Sequence, residues 1–160
     1  MIKGKLGPLD RSLGFKLRLA NNLMIHEWAA LARSEGIAET PVEGGIVVLI
    51  GSNPGLAHGT LADLLGVDAS TLSQALNPLI SRGLIRREPD PSDRRTRRMY
   101  LTNAGELARH RITGILRIKE ENPPGALNAD ELSSLHGLLD KLLEEVAEED
   151  SVVELQAGRA

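Results

Sequence analysis

Apolar residues recur at three- and four-residue steps along much of the chain, which is the spacing of one face of an α-helix. The first such stretch predicts a long helix over residues 12–34 that ends near Gly36, with apolar positions Leu13, Leu17, Ala20, Met24, Trp28 and Leu31. A second helix should begin at Thr40-Pro41-Val42-Glu43, which can form a capping box. It should end by Gly51, because Ser52-Asn53-Pro54-Gly55 is typical of a turn.

Two further helices are predicted close together, joined by a tight turn at Gly66. The third covers His58 to Leu65 and is apolar on one side. The fourth begins after Asp68, a favourable N-cap residue, and has one apolar stripe made of Leu72, Leu76, Leu79 and Ile80. Two helices joined in this way are typical of a helix-turn-helix.

The outward face of the fourth helix carries short hydroxyl and amide side chains with almost no charge: Ser70, Thr71, Ser73, Gln74 and Asn77. Such groups both donate and accept hydrogen bonds, which suits contact with base edges and phosphates in a major groove. An ordinary polar helix surface is the alternative interpretation, but surface helices usually prefer Glu and Lys. The five residues are therefore candidate DNA contacts.

Residues 85–102, IRREPDPSDRRTRRMYLT, form a second candidate contact region. Two short strand-like runs flank Pro89-Asp90-Pro91-Ser92-Asp93, and this pattern predicts a hairpin with a turn-rich tip, which is a wing beside the helix-turn-helix. Arginines on a wing can follow the phosphate backbone or enter the minor groove. The candidate wing contacts are Arg87, Asp93, Arg94, Arg95 and Arg97.

The distribution of charge agrees with this interpretation. The chain has a net charge of −3, yet between Arg82 and Arg98 seven arginines stand against three acids, a local net charge of +4. Between Asp130 and Glu154 nine acids stand against one lysine. The acidic run is interpreted as a solvated face, whereas solubility alone does not explain a cluster of one cationic residue type.

The C-terminal part predicts two more helices and a dimer. The fifth helix covers residues 104–120, and Asn128 to Glu131 can form a capping box that opens the last helix. Apolar positions alternate by three and four residues in that helix, at Leu132, Leu135, Leu139, Leu142 and Val146. Such a face must be covered, and we expect a second copy to cover it, with burial inside one subunit as the alternative.

Residues 61–105 resemble the MarR-type (multiple antibiotic resistance regulator) winged-helix transcription factors. The elements Leu-Ala, Gly-Leu-Ile-x-Arg, Asp-Pro-x-Asp-x-Arg and Leu-Thr-x-x-Gly occur there in order, and residues 126–146 resemble the final helix of the family. The resemblance implies a mainly α winged helix-turn-helix fold with about six helices and a two- or three-stranded wing. It also implies a single domain over 1–160, with a DNA-binding lobe at 40–102 and dimerisation helices at 12–34 and 104–150.

The resemblance assigns two roles within the wing. In proteins of this kind the carboxylate of the Asp-x-Arg motif, here Asp93, pairs with a nearby arginine and fixes the tip, while the arginine, here Arg95, enters the minor groove. A carboxylate can hold a guanidinium group by paired hydrogen bonds. The sequence leaves open which arginine Asp93 holds.

Two residues depart from the family pattern. His58 stands where a Ser or Thr cap is usual, so we expect the third helix to fray at its start. Pro78 lies inside the fourth helix, where we expect a kink because proline removes a backbone hydrogen bond. The straight part would then end near Asn77, leaving Arg82 with a phosphate contact at most.

The resemblance also implies a small effector. Proteins of this kind often bind phenolic or lipophilic molecules where the dimerisation and DNA-binding parts meet. His26 and Trp28 on the first helix are the candidate ligand contacts. A place in the protein core is the alternative interpretation for Trp28.

Other chemistry is sparse. The chain has no cysteine, and its longest aliphatic run, Ile46 to Ile50, is five residues, far below the ~20 that a membrane-spanning helix needs. Its four histidines lie on different segments without metal-ligand spacing, and no phosphate loop, nucleophile elbow or pair of catalytic carboxylates is present. We therefore expect a cytoplasmic protein that is not an enzyme and has no cofactor, bound metal or membrane contact.

The sequence thus predicts a sequence-specific regulator of transcription that binds double-stranded DNA. We expect a homodimeric repressor that reads a palindromic operator and responds to a small molecule. A winged-helix module for protein–protein interaction and a metal-responsive regulator are the alternatives.

Overall fold

The computed structural model describes residues 6–35, 40–93, 96–121 and 127–157, with side chains to Ala32 in the first range and to Glu144 in the last. After a short 3-10 helix at Gly7–Arg11, the described residues form six α-helices and three β-strands. In chain order these are α1 (Leu13–Glu35), α2 (Pro41–Ser52), β1 (Leu56–Ala57), α3 (His58–Leu65), α4 (Ala69–Ser81), β2 (Ile85–Pro89), β3 (Arg97–Leu101), α5 (Asn103–Glu121) and α6 (Ala129–Ala157). The predicted fold class is confirmed; Gly36 lies outside the described residues.

Local side-chain caps begin the helices where the sequence predicts them. At α2 the Glu43 amide donates to the Thr40 hydroxyl oxygen at 3.2 Å. At α6 the Asn128 amide donates to the Glu131 carboxylate at 2.8 Å, and the Glu131 amide donates to the Asn128 side-chain oxygen at 3.0 Å. α3 begins at His58, and its N-cap residue is Ala57, which makes no side-chain cap hydrogen bond. His58 is thus the first residue of the helix and not its cap, and fraying of the helix start stays a prediction.

The core of the lobe predicted at residues 40–102 lies between α2, α3, α4 and the sheet. Burying one large aliphatic side chain contributes about 1.5–3 kcal/mol. Gly66 ends α3 with a φ of +60°, a left-handed conformation that favours glycine, and turns the chain into α4. The largest fully buried side chains include Ile46, Val47, Ile50, Leu61, Leu72, Leu76, Leu79 and Met99.

The three strands form one antiparallel sheet in the order β1-β3-β2. β2 and β3 are the predicted hairpin, with Ile85 opposite Leu101 and Pro89 opposite Arg97. β1 pairs Leu56 with Met99 on the other side of β3. The wing is therefore attached to the lobe by a third strand that precedes α3.

The chain divides into two compact units, Met1–Ile115 and Leu116–Ala160. The first contains α1 to α4, the sheet and most of α5, and the second contains the end of α5 and all of α6. Several leucines of α6 are exposed, namely Leu135, Leu138, Leu142 and Leu143, while the side chain of Val146 lies outside the described residues. The single-domain organisation and the dimerisation helices stay predictions.

None of the helices in the described part of the chain has the length and apolar character that a membrane-spanning helix requires.

Candidate nucleic-acid interface

α4 turns one face to the core and the other outward. Its apolar stripe, Leu72, Leu76 and Leu79, is fully buried. The five predicted contact residues share the outward side, four of them exposed and one, Ser73, half-buried: Ser70, Thr71, Ser73, Gln74 and Asn77. Burial of the stripe therefore fixes the rotation of the helix and sets which polar groups face outward.

The N-terminus of α4 is held by Asp68. Its carboxylate accepts the amides of Ser70 and Thr71, each at 2.9 Å, and the Thr71 hydroxyl at 2.8 Å. The bonds from Thr71, followed by the bond from Ser70, lower the pKa of Asp68. The carboxylate is therefore charged at neutral pH, and its hydrogen bond with the Thr71 hydroxyl fixes the orientation of that group.

The register of the hairpin places its described arginines on both faces of the sheet. Arg87 is opposite Met99 and Pro89 is opposite Arg97, so Arg87 and Arg97 share one face of the sheet. Both are exposed, and the Arg87 guanidinium approaches the side-chain oxygen of Asn77 at 3.5 Å. This contact places the arginine face beside the outward side of α4.

The other face of the sheet carries Arg86 and Arg98, whose described partners lie within the protein. Arg86 lies over the ring of Tyr100, with 4.7 Å from the guanidinium carbon to the ring centroid, and forms an ion pair with Glu88. A guanidinium above an aromatic face is attracted by the ring quadrupole. Arg86 therefore has its partners within the sheet, whereas the described contact of Arg87 is with α4.

The wing tip is organised around Asp90, which is only 4% exposed. Its carboxylate accepts the amide and hydroxyl of Ser92 at 2.7 and 2.6 Å, the amide of Asp93 at 3.3 Å, and the Arg98 Nε. Arg98 also donates to the Gly55 carbonyl at 3.0 Å. The bonds from Ser92, and after them the Arg98 guanidinium, hold the pKa of Asp90 well below its usual range. The tip is thus tied to the turn before β1.

Asp90 is the tip residue that the sequence analysis missed. The Thr96 hydroxyl donates to the Asp93 carboxylate at 2.9 Å, while Arg94 and Arg95 lie outside the described residues. The predicted pairing of Asp93 with an arginine, and the minor-groove role of Arg95, therefore stay predictions. An Asp two residues before a Ser in a proline-rich turn is a local signal for an Asx turn and could have identified Asp90.

The end of α4 continues past its proline. The Arg82 amide donates to the Pro78 carbonyl at 3.0 Å, and the helix runs to Ser81. The Arg82 guanidinium lies 3.8 Å from the carboxylate of Glu43, a residue only 5% exposed. Arg82 thus has a partner inside the protein, and the expected kink stays a prediction.

The two candidate ligand residues lie in different environments. His26 is exposed, whereas Trp28 is 5% exposed and belongs to the core, and its indole N–H has no hydrogen-bond partner among the described residues. A separate cavity of about 490 Å³ adjoins α1, and the described residues that line it are Asn21, Ile25, Thr40, Pro41, Val42, Glu43, Thr71, Gln74 and Ala75. Within the described ranges, no three His, Asp or Glu side chains are grouped to hold a metal ion.

Sequence comparison connects the interface to known regulators. Residues 40–96 match the model of the MarR family. A protein of Thauera aromatica, to which transcriptional regulation of the hcr operon is assigned, is 32% identical over 143 residues, which cover 89% of this chain and 85% of that protein. The match thus extends well beyond the helix-turn-helix and the wing.

Solved structures have the same fold. The transcriptional repressor CouR, bound to a 23-mer DNA duplex, aligns with a TM-score of 0.77 and 25% identity over 89% of this chain and 99% of that one. A transcriptional regulator from Pseudomonas aeruginosa aligns with a TM-score of 0.71 and 32% identity over 84% of this chain and 98% of that one. These matches confirm the resemblance carried by residues 61–105, and the chain belongs to the MarR family of winged-helix transcriptional regulators.

Proposed function

We propose that this regulator acts as a homodimeric repressor that reads a palindromic operator. Each subunit places α4 in a major groove and the wing in the adjacent minor groove. The observation that carries the proposal is the contact between Arg87 of the wing and Asn77 of α4, at 3.5 Å. This contact brings a cationic surface next to a helix face rich in amides and hydroxyls. In DNA-binding proteins, cationic groups contact the phosphates and position the protein, while amides and hydroxyls can contact the bases.

Readout is assigned to the exposed polar side of α4. Gln74 carries an amide that can make a bidentate contact to adenine in the major groove. The exposed Arg87 and Arg97 add positive charge beside it, where they can neutralise phosphates. Arg94 and Arg95 are proposed as further wing contacts on the sequence alone.

Dimerisation is assigned to the terminal helices. Leu138 and Leu143 of α6 are each 65% exposed, and apolar faces of this kind are usually covered by a partner surface. A two-fold axis through such an interface presents two identical α4 helices, and the matching DNA site is a palindrome.

A small molecule is proposed to modulate DNA binding from the cavity beside α1. Its lining mixes apolar residues, such as Ile25 and Val42, with polar residues, which suits a small ligand that has both an apolar body and hydrogen-bonding groups. Thr71 and Gln74 belong to this lining and also to the outward side of α4. A ligand there would contact the same helix that is proposed to read DNA, which supplies a direct route for coupling.

Because a repressor must reach the chromosome, we place the protein in the cytoplasm, and the proposed role includes no catalytic step.

Selection of bound duplexes from a random pool tests the proposal. We expect enrichment of one palindromic motif over bulk competitor DNA. Recovery of unenriched sequences, with binding that depends only on salt, would show that the chain does not act as a sequence-specific reader.

A further inference from the structure

A cleft of about 420 Å³ opens between the start of α3, the middle of α4 and the arginine face of the sheet. Its lining includes His58 of α3, Ser73 of α4, Thr96, and the two arginines Arg87 and Arg97. The described lining contains no carboxylate, so the charges that this cleft presents are cationic. The position and charge of the cleft suit a single anionic group.

His58 and Ser73 are in contact across the cleft. The His58 Nε2 lies 3.2 Å from the Ser73 hydroxyl oxygen. A neutral imidazole has one donor and one acceptor nitrogen, so the hydrogen bond can run in either direction. A protonated imidazole has two donors, so the ring must donate to Ser73. The Ser73 hydroxyl hydrogen must then point to another acceptor.

We propose that the cleft binds a phosphodiester group of the operator and that His58 takes up a proton from solvent when this happens. The proposal rests on the proposed DNA-binding function. The protonated ring would donate one N–H to Ser73, and the other would be available to a phosphate oxygen. Operator affinity should then rise as the pH falls, because a bound phosphate favours the imidazolium form.

The groups that face His58 define the electrostatics of this step. From α4 the facing group is the uncharged Ser73, from β2 it is Arg87, and from β3 it is Arg97. Outside the lining, the carboxyl groups of Asp68 and Asp90 both have lowered pKa values. They therefore stay charged between pH 6 and 8 and do not contribute to a change in affinity there.

The test uses the full chain and the operator selected above, with the dissociation constant measured by fluorescence anisotropy at pH 6, 7 and 8 and fixed ionic strength. Each proton taken up on binding changes the affinity by at most tenfold per pH unit, so for a dimer we expect binding about 5- to 50-fold tighter at pH 6 than at pH 8. His58→Asn should reduce this ratio below about twofold, because a neutral amide cannot take up the proton. His58→Arg should bind tightly at pH 8 with an equally flat profile.

The matched control is His110→Asn, which removes an exposed histidine of α5 that lies outside the cleft lining. This variant should keep the wild-type pH profile. Circular dichroism and sedimentation establish that each variant is folded and has the wild-type oligomeric state. A wild-type affinity that does not change with pH, or an unchanged profile in both His58→Asn and His58→Arg, would overturn the inference. A failure to bind any selected duplex at all three pH values would instead refute the proposed function.

Free phosphate offers the same chemistry as the DNA backbone, and NMR separates the two sources. At pH 7.5 the operator should move the His58 ring proton signals towards the protonated position at micromolar concentration. Inorganic phosphate at the same concentration should leave them unchanged. An equal shift with inorganic phosphate would mean that the cleft is a site for a free anion, and the assignment to operator DNA would be wrong.

Discussion

The helix proposed to read DNA, α4, is fixed by an apolar stripe, whereas the wing tip is fixed by hydrogen bonds to one carboxylate. Leu72, Leu76 and Leu79 have no exposed surface, so α4 cannot rotate without exposing its core face to water. The tip instead depends on Asp90, which binds Ser92 and Arg98. A packed apolar stripe is insensitive to changes of charge elsewhere on the surface. A buried carboxylate, in contrast, is destabilising when one of its hydrogen-bond partners is lost. The two regions should therefore respond to different substitutions.

The largest effect is expected from breaking the packing of α4. Leu76→Ala removes a fully buried side chain and should lower the free energy of unfolding by about 2–5 kcal/mol, with loss of DNA binding as the lobe unfolds. Urea denaturation followed by circular dichroism measures this change. Leu64→Ala is the matched control, because Leu64 of α3 is 54% exposed, and it should change stability little. Equal losses in the two variants would contradict the assigned core.

Readout by α4 can be broken without disturbing its packing. Gln74→Ala should cost about 1–3 kcal/mol of binding free energy at one base position in each half-site, because the bidentate contact to the base is lost. Binding assays on operators substituted one base pair at a time locate that position. If the loss were uniform across all sequences, Gln74 would contact the DNA backbone and not a base.

Much of α4 was predictable because its signals are local. Asp68, the glycine turn at Gly66 and the apolar stripe all lie within a few residues of the structure that they specify. The contacts of His58 with Ser73 and of Arg98 with the Gly55 carbonyl join residues that are far apart in the chain. Periodicity carries no information about such pairs.

The wing shows the same division between local and distant contacts. Its hairpin follows from the turn-rich tip, but the third strand β1 forms only because the segment before α3 reaches β3. The cavity beside α1 is built from three separate helices and the residue that caps α2. The sequence could therefore suggest His26 and Trp28 only through the resemblance to the family and their place in the first helix.

A change of charge at the wing tip should weaken DNA binding without unfolding the lobe. Asp90→Asn removes the negative charge that pairs with the Arg98 guanidinium, and we expect operator affinity to fall roughly fivefold to tenfold as the tip loosens. Glu88→Gln is the control and should not weaken binding, because Glu88 is exposed and pairs with Arg86 on the face of the sheet opposite Arg87 and Arg97. Simple electrostatics predicts tighter binding when either carboxylate is neutralised, so tighter binding by Asp90→Asn would refute the positioning role.

The smallest expected effect is on the pH dependence of stability, where the contribution of Asp90 at the wing tip should be lost in acid. Hydrogen bonds from Ser92, and to a smaller extent the one from Arg98, lower the pKa of Asp90 in the folded protein. An Asp in the unfolded chain has a pKa of about 3.9. The stability that Asp90 contributes is therefore complete above about pH 5 and is lost as the pH falls below about 4. The difference in unfolding free energy between wild type and Asp90→Asn should be equal at pH 7 and 5 and smaller at pH 3. A difference that already shrinks between pH 7 and 5 would contradict the lowered pKa.

The most direct test of the central claim compares the selected operator with a duplex in which one half-site is scrambled, at the same salt concentration. A two-fold symmetric reader that uses α4 and the wing in both half-sites should bind the intact palindrome at least about 100-fold more tightly, because scrambling removes the base contacts of one subunit. The scrambled duplex has the same number of phosphates, so it controls for charge alone. Equal affinity for the two duplexes would contradict the account and would favour the alternative of a winged-helix module that binds another protein.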